Sequence, residues 1–348
     1  MEGNNPVSDF GNAGAFGVNY ALRPHKFVDR RIFLEILSRF SGFEPIDNYV
    51  YVGLGSFALE DHKLVHANFG IPVLISLERD PDVFERQKFN IPLRCIKPTP
   101  YSTTDFVVRR SAIFRQSGAP PDASAIIWFD MTDADTIRVH LDTFARLLRN
   151  SQPGDIVRMT VDVDEKTLGR RTEGESISDL TKRRFERLRE LLGEDLKPGS
   201  RTRNASNPLG IAKIIAYAFR LVAERAFERD KVYTFAPFSL TTYADGHRML
   251  SITGGIVERD RLSECRQKMN LKTVPGGVDS WDELVGIQLP QLTVWEKLSI
   301  DRYIEAKKLK QLTGIINFRL HETIPTLKLL EGYSQFQRFY PTFRHVLL

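Results

Sequence analysis

Cysteine is scarce in this chain, and long apolar runs are absent. The 348 residues include only two cysteines, Cys95 and Cys265. Their spacing fits neither a metal-ligand motif nor a disulfide scaffold, so we predict no metal site and a reducing, cytoplasmic location. No stretch of about 18 apolar residues occurs, so no membrane span is expected. The N-terminal residues have no basic region followed by an apolar core, which argues against a secretory signal.

Internal repeats are also missing, and the charge is nearly balanced. With 42% hydrophobic residues, the chain can form one large domain with appendages or two domains. The net charge of +5 does not by itself indicate a nucleic-acid partner. The excess is localised, however, because residues 166–213 contain twelve Lys or Arg and seven Asp or Glu. RNA or DNA contact through this segment is one hypothesis, and a solvated lid is the other.

The most informative pattern lies in residues 48–80. It predicts a strand at 49–52, a helix at about 59–69 and a second strand at 73–77. A glycine turn with Gly53, Gly55 and Ser56 follows the first strand, and Glu78 ends the second. Glycines let the backbone turn sharply and let a ligand approach, and a carboxylate at that strand end can accept both hydroxyls of a ribose. The pattern favours a nucleoside site over a turn that binds nothing, although the third glycine of the dinucleotide fingerprint is absent.

A basic cluster surrounds the start of the first predicted helix. Helical periodicity begins at Val28, and the cluster consists of Arg23, His25, Lys26 and Arg30. Charges at a helix end are usually solvated. The alternative is that Arg23 and Lys26 fold over the nucleoside site or the substrate. One face of the helix is expected to bury Val28, Ile32, Ile36 and Phe40, and the other to expose Arg30, Arg31, Glu35 and Arg39.

Polar residues follow two later strands of the predicted sheet. Ser102 and Asp105 lie in a Thr/Ser-rich loop and are candidates for contacting a base or a polar substrate, with Asp105 as a plain helix cap the favoured alternative. Asp130 and Asp133 directly follow a buried strand. A carboxylate there can act as a base, bind Mg²⁺ or anchor a substrate amine. We predict that Asp130 is functional and that Asp133 is at least partly a cap.

The alternation of predicted strands and helices continues to about residue 161 and then becomes irregular. An Asp245-Gly246 turn between β-rich runs predicts a hairpin. Further strands are predicted at 93–96, 125–129, 155–161, 231–240 and 248–257. Further helices are predicted at 81–89, 135–148, 177–192, 208–227 and 293–312. The helix at 177–192 has a narrow apolar stripe made of Leu180, Arg184, Leu188 and Leu191.

The order of these features resembles class I S-adenosylmethionine-dependent methyltransferases. The glycine turn, Glu78 after the second strand, Asp130 after the fourth and the terminal hairpin carry the resemblance. More narrowly, three stretches resemble a poorly characterised bacterial group of O-methyltransferases: NYALRPHKFVDRRIFLEIL, YVGLGSFALEDHKLVH and ISLERD. The resemblance implies an α/β fold with a Rossmann-like methyltransferase sheet, in which parallel strands end in an antiparallel hairpin. It also implies S-adenosylmethionine as the cofactor.

The resemblance assigns the cofactor contacts residue by residue. Gly53, Gly55 and Ser56 would face the methionine part of the cofactor, and Glu78 would hold the ribose. Ser102 remains the candidate for contacting the base.

The resemblance also suggests further residues. Arg23 and Lys26 match the N-terminal motif of the group and would line the cofactor site. Asp61 and His66 match as well. Asp130 or His66 would serve as a general base, and Asp61 would orient the acceptor.

Two functions stay open on the sequence. The first is a methyltransferase acting on a hydroxyl of a small molecule or a nucleic acid. The second is a catalytically inactive Rossmann-like subunit that binds a nucleotide or nucleic acid in a larger assembly. Under either function, the chain could bind a protein partner or form a homo-oligomer. The expected division is an N-terminal arm and helix (1–47), a methyltransferase-type domain (48–260) with a basic helical insert (164–207), and a mostly helical C-terminal extension (261–348).

Overall fold

The computed structural model describes residues 23–131, 136–304 and 309–341, so the predictions for the N-terminal arm and for Asp133 lie outside the described residues. The strands are β1 (Val50–Gly53), β2 (Val73–Leu77), β3 (Ile96–Thr99), β4 (Ala125–Met131), β5 (Ile156–Asp162), β6 (Tyr233–Asp245), β7 (His247–Glu258) and β8 (Val285–Gly286). The helices are α1 (Pro24–Ser41), α2 (Glu60–Phe69), α3 (Pro81–Phe89), α4 (Thr103–Gln116), α5 (Ile137–Arg149), α6 (Ile177–Leu192), α7 (Pro208–Ala226), α8 (Leu262–Met269), α9 (Val294–Asp301), α10 (Leu309–Leu312) and α11 (Thr326–Phe336).

All eight strands belong to one sheet, in the order β3-β2-β1-β4-β5-β7-β6-β8. Strands β1 to β5 pair in parallel, whereas β7 is antiparallel to both β5 and β6. The hairpin turns at Gly246, whose φ of +102° is a conformation that glycine adopts without steric cost. A parallel sheet that ends in an antiparallel hairpin confirms the fold class predicted from the sequence.

Helices cover both faces of the sheet, because the parallel strands are apolar on both sides. On β4, Ile127 and Phe129 point to a core shared with α4, α5, α6 and α7. Ile126 and Trp128 point to the opposite core, which contains α1, α2, α8 and the helices of the C-terminal segment. Among the helices of the described residues, none combines the length and the apolar character that a membrane crossing needs.

Several element boundaries differ from the sequence predictions, and each difference has a local cause. Helix α1 begins at Pro24 rather than Val28, because proline is well suited to the first helical position. Strand β3 covers Ile96–Thr99 rather than 93–96, and Pro98 is tolerated there because β3 is an edge strand. The capping box of Thr293 and Glu296 starts α9 as predicted, but the helix ends at Asp301 instead of near residue 312.

Two burial predictions also need correction. Arg30 was expected on the exposed face of α1, yet it is only 6% exposed. In α6 the buried stripe contains Phe185 and Leu192 instead of Arg184 and Leu191, so this helix of the basic segment contributes to the core. The aromatic C-terminal segment buries Tyr333, Phe336, Phe339 and Tyr340 in the core that contains α1.

A buried ion pair attaches α1 to the sheet. Asp29 and Arg158, in the middle of β5, are 1% and 0% exposed and form a direct ion pair. Asp29 also accepts hydrogen bonds from Thr241 at 2.6 Å and from Ser251 at 3.0 Å. Arg158 donates to Thr253 at 2.8 Å, and its guanidinium is also stacked between aromatic rings of α1 and β4. Each charge is therefore compensated by an opposite charge and by neutral hydrogen-bonding groups.

We expect Arg158→Met to lower the free energy of unfolding by about 3–5 kcal/mol, because it leaves the Asp29 carboxylate buried without its cation. The double variant Asp29→Leu/Arg158→Met removes both charges and is expected to recover most of that loss. Urea unfolding of the wild type, both single variants and the double variant measures the effect. A double variant as unstable as the two single losses added together would contradict this account.

A neutral histidine lies beneath the glycine turn. His62 is fully buried, its Nε2 donates to the carbonyl of Ile75 at 3.1 Å, and its ring packs edge-on against Tyr51. Burial lowers the pKa of His62 to about 4. Between this value and the ordinary histidine pKa of about 6.5, the unfolded chain binds a proton that the folded protein does not.

Stability is therefore expected to fall as pH drops through this window, by about 2 kcal/mol between neutral pH and pH 5 for His62 alone. His62→Gln keeps an N–H donor for the Ile75 carbonyl but does not titrate. Urea unfolding at both pH values should show a smaller loss in His62→Gln than in the wild type. An identical loss in both proteins would show that His62 is not the source.

Candidate active site

The glycine turn lies where β1 ends, packed tightly against the protein itself. A Cβ on Gly53 would lie 2.8 Å from the hydroxyl of Tyr51. A Cβ on Gly55 would lie 2.4 Å from Oγ of Ser76 and 2.5 Å from Leu59. Both distances are too short for a side chain. The two glycines are therefore required by internal packing, independently of any ligand that approaches the turn.

The loop after the turn has an unusual backbone and is supported by α3. Ser56 and Leu59 have φ values of +45° and +55°, in the left-handed region that residues with a side chain rarely adopt. Gln87 donates to the carbonyl of Ser56 at 2.7 Å, and Asn90 donates to the carbonyl of Phe57 at 3.0 Å. Strained backbone of this kind tends to cluster at functional sites, and α3 holds it in place here. No sequence pattern indicated it.

Glu78 lies beside this turn, directly after β2. Ser76, two residues earlier, is in register with Gly53 on the neighbouring strand. Oε1 of Glu78 accepts the backbone N–H of Asp80 at 2.9 Å, and the backbone N–H of Arg79 also stabilises the carboxylate. Burial nevertheless raises the pKa of Glu78. The carboxylate is thus held by the backbone that directly follows β2.

The start of α1 lies over the same edge of the sheet and makes two ion pairs there. Nζ of Lys26 lies 2.8 Å from Oδ2 of Asp130, at the carboxyl end of β4. One helical turn later, Arg30 forms a two-pronged pair with Asp61, with distances of 2.7 and 3.1 Å. Asp61 is in the first turn of α2, just after the glycine turn. A single helix therefore brings together carboxylates that are 69 positions apart in the chain.

His25 and Asp245 fix the beginning of α1. Nδ1 of His25 lies 2.6 Å from one oxygen of Asp245, and the other oxygen accepts the backbone N–H of Lys26 at 2.7 Å. Nε2 of His25 accepts the backbone N–H of Leu289 at 3.0 Å. Because Nε2 is an acceptor, Nδ1 holds the proton and donates to Asp245. Both ring nitrogens are occupied, so His25 positions the helix.

Oδ1 of Asp130 and the hydroxyl of Tyr243 are among the buried polar atoms that have no hydrogen-bond partner in the described residues. Burial raises the pKa of Tyr243 well above its ordinary value, and the nearby carboxylates of Asp29 and Asp130 raise it further. The phenol is therefore neutral, and the site combines one open carboxylate oxygen with one neutral hydroxyl. Unsatisfied buried polar atoms in a native structure point to a strained or functional position.

The remaining predicted site residues are not all brought together. Arg23 directly precedes α1 and is half-buried, and its side chain makes no ion pair within the described part of the chain. Ser102 and Asp105 form a capping box at the start of α4, so the hydroxyl of Ser102 serves the helix and its contact with a base stays a prediction. Asp105 is the capping partner, in line with the favoured alternative.

His66 lies elsewhere. It is in the last turn of α2, and its Nδ1 contacts the carbonyl of Ile71, which precedes β2. This is the amino edge of the sheet, opposite to the edge that holds Asp130. The placement therefore argues against the catalytic base role suggested by the sequence for His66.

Sequence reasoning missed the polar residues that support the site: Asp29, His62, Arg158, Tyr243 and Asp245. One indication was available. Asp29 stands among the inward-facing apolar positions of α1, where an unpaired carboxylate would be costly. Its partners could not be identified, because they belong to strands more than one hundred residues away.

Comparison with known proteins gives a family for the chain. Residues 18–348 match the model of a family described as "Putative O-methyltransferase". No curated protein sequence matches the chain. The family match covers nearly the whole chain and confirms the prediction of an S-adenosylmethionine-dependent methyltransferase.

Solved structures give only distant likenesses. The plantazolicin methyltransferase BpumL, in complex with SAH and a pentazolic desmethylPZN analog, is 7% identical, with 68% of this chain and 88% of that chain covered and a TM-score of 0.38. In a fibrillarin/Nop5p complex, the matching chain is 9% identical, with 60% and 73% covered and a TM-score of 0.34. In the complex between the Haloferax volcanii Trm112 methyltransferase activator and the "putative methyltransferase", the matching chain is 15% identical, with 41% of this chain and 58% of that chain covered and a TM-score of 0.26. At these values the likenesses carry no functional argument.

Proposed function

Because the chain belongs to the O-methyltransferase family that it matches over residues 18–348, we propose that it transfers the methyl group of S-adenosylmethionine to a hydroxyl oxygen of its acceptor. The proposed reaction site is the carboxyl edge of the sheet between β1 and β4. One observation carries the proposal: Lys26 holds Oδ2 of Asp130, while Oδ1 is buried with no hydrogen-bond partner among the described residues.

The residues at this edge fit the cofactor. The carboxylate of Glu78 would accept ribose hydroxyls, and the turn from Gly53 to Ser56 would face the methionine part. Arg23 would reach the site from the start of α1. When bound, S-adenosylmethionine supplies a methyl carbon on a positively charged sulfur, and the electron pair of the broken carbon–sulfur bond stays on that sulfur.

The protein then has to hold and deprotonate the acceptor. Oδ1 of Asp130 accepts a hydrogen bond from the acceptor hydroxyl, aims its oxygen at the methyl carbon and takes the proton as the new carbon–oxygen bond forms. Lys26 keeps the carboxylate in one orientation. Asp61, fixed by Arg30, orients the acceptor from the side of the glycine turn. Methyl transfer depends strongly on such alignment, and groups already held by ion pairs need little reorganisation.

Glu78→Ala is expected to weaken S-adenosylmethionine binding by about 1–3 kcal/mol, because hydrogen bonds to a charged acceptor are lost. Burial raises the pKa of Glu78, so the wild-type carboxylate is protonated at a higher pH than an ordinary glutamate. Wild-type affinity should therefore fall on acidification already above the usual glutamate pKa of about 4.3. Calorimetric titration with S-adenosylmethionine and with S-adenosylhomocysteine across this pH range measures both effects.

Glu78→Gln is the matched control, since it keeps the side-chain shape but does not titrate. Its affinity should vary less with pH than that of the wild type. Unchanged affinity in a folded Glu78→Ala variant would refute the ribose assignment. Absence of binding to either compound by the wild type would refute the proposed function itself.

Asp130→Asn should leave cofactor affinity nearly unchanged and lower methyl transfer by roughly 10²–10⁴-fold, the usual contribution of a general base. Transfer can be followed with tritium-labelled methyl groups, using hydroxyl-bearing fractions of a cell extract as acceptors. Glu35→Gln, on an outer position of α1, controls for the loss of one carboxylate near that helix. Transfer by Asp130→Asn at the wild-type rate would exclude Asp130 as the base.

A further inference from the structure

A concave basic surface lies in the segment between β5 and α7. It is lined by Lys166, Arg170, Arg171 and Arg184 and opens widely to solvent. Lys166, Arg170 and Arg171 are exposed, and Arg184 is half-buried. We call these four residues the basic depression. It contains four cations and no lining carboxylate, which makes it distinct from the mixed charges elsewhere on α6.

The loop that forms the depression is held by one internal ion pair. Arg183 donates to both oxygens of Glu175 at 3.0 and 2.9 Å, and also to the carbonyl of Arg170 at 2.8 Å. The guanidinium of Arg183 is the main cause that lowers the pKa of Glu175 to about 2. The Glu175 carboxylate is therefore already paired with Arg183, and it does not neutralise the cations of the depression.

The four cations have no carboxylate partner in the described part of the chain. Two of them are oriented by neutral groups instead: Nε of Arg184 donates to the carbonyl of Gly169 at 3.0 Å, and Nε of Arg171 donates to the carbonyl of Glu175 at 2.9 Å. A carbonyl fixes a guanidinium without cancelling its charge, which leaves the terminal nitrogens available. Oriented guanidinium groups match the geometry of phosphate oxygens.

The loop that carries the depression leaves the sheet at its carboxyl edge, the same edge that holds the proposed reaction site. Lys166 comes four residues after the end of β5, and β5 pairs with β4 so that Thr160 lies opposite Asp130. Asp164 holds this connection, because it accepts the backbone N–H groups of Lys166 at 2.9 Å and of Arg248 at 3.0 Å. Six residues of extended chain span at most about 22 Å, so the Lys166 backbone is within about 27 Å of Asp130.

We infer that the basic depression binds a phosphoryl group of the methyl acceptor. No aromatic residue lines it, so it offers charge without a stacking surface for bases. The contact is therefore to phosphate and independent of base identity. The phosphate belongs either to a small phosphorylated acceptor or to the backbone of a nucleic acid. The assignment of the phosphate to the methyl acceptor rests on the proposed function, whereas phosphate binding itself is measured separately from it.

The test compares two double variants that remove the same charge from the full-length protein. Lys166→Gln/Arg170→Gln changes two side chains of the depression that make no hydrogen bond within the described residues. Lys182→Gln/Arg189→Gln changes two exposed cations of α6 outside the depression. Binding of pyrophosphate and of a single-stranded RNA of about ten nucleotides is measured at low and moderate salt. S-adenosylmethionine binding is measured on the same preparations.

The depression variant is expected to lose at least about tenfold in phosphate affinity, and its salt slope for RNA should shrink by about 1.4, which corresponds to two lost phosphate contacts. The control variant should keep wild-type binding. Equal affinity for pyrophosphate and RNA identifies a small phosphorylated acceptor, and clearly tighter RNA binding identifies a nucleic acid. Equal weakening in both variants, or no binding by the wild type, overturns the inference. Intact S-adenosylmethionine binding in that case would leave the proposed function standing.

Discussion

The ion pair of Asp29 and Arg158 is the interaction on which the arrangement of the site depends. It lies in the interior, where an unpaired charge would be strongly unfavourable, so α1 can occupy only the register that joins the two groups. Lys26 and Arg30 are one turn apart on the same side of that helix, and this register places them on Asp130 and Asp61. A hydrophobic contact alone would tolerate small shifts of the helix, whereas paired charges with hydroxyl partners do not.

The proposed site is assembled from two different kinds of structure. On the proposed cofactor side, backbone and a single carboxylate dominate, since the glycine turn packs against β2 and α3 holds the loop that follows it. On the proposed acceptor side, charged side chains dominate, and Lys26 and Arg30 of α1 hold the carboxylates of Asp130 and Asp61. Groups held in this way need little reorganisation, which is the condition under which electrostatic groups act most effectively on a reaction. The neutral His62 adds no charge beneath the turn.

The basic segment between β5 and α7 has apolar side chains in the core and cations on the surface. Phe185, Leu188 and Leu192 of α6 lie in the same core as α5 and α7, so this helix is anchored by its apolar side. The buried side of α6 thus supports a loop whose cations face solvent. Arg183 neutralises Glu175 and shapes that loop, and this leaves the positive charge concentrated in one place.

The sequence by itself determined the sheet, the hairpin, most helix starts and the residues that follow each strand, because these follow from local periodicity, capping and turn chemistry. Glu78 and Asp130 were identifiable for this reason: strand ends converge on one edge of a parallel sheet. The tertiary structure decided which charges meet. Arg30 appeared to belong to a solvated face, and it is buried against Asp61; His66 matched a family motif, and it lies at the opposite edge. Asp29, Arg158 and Tyr243 gained their roles only when distant strands came together, because the energy of a buried charge depends on its partners and not on its neighbours in sequence.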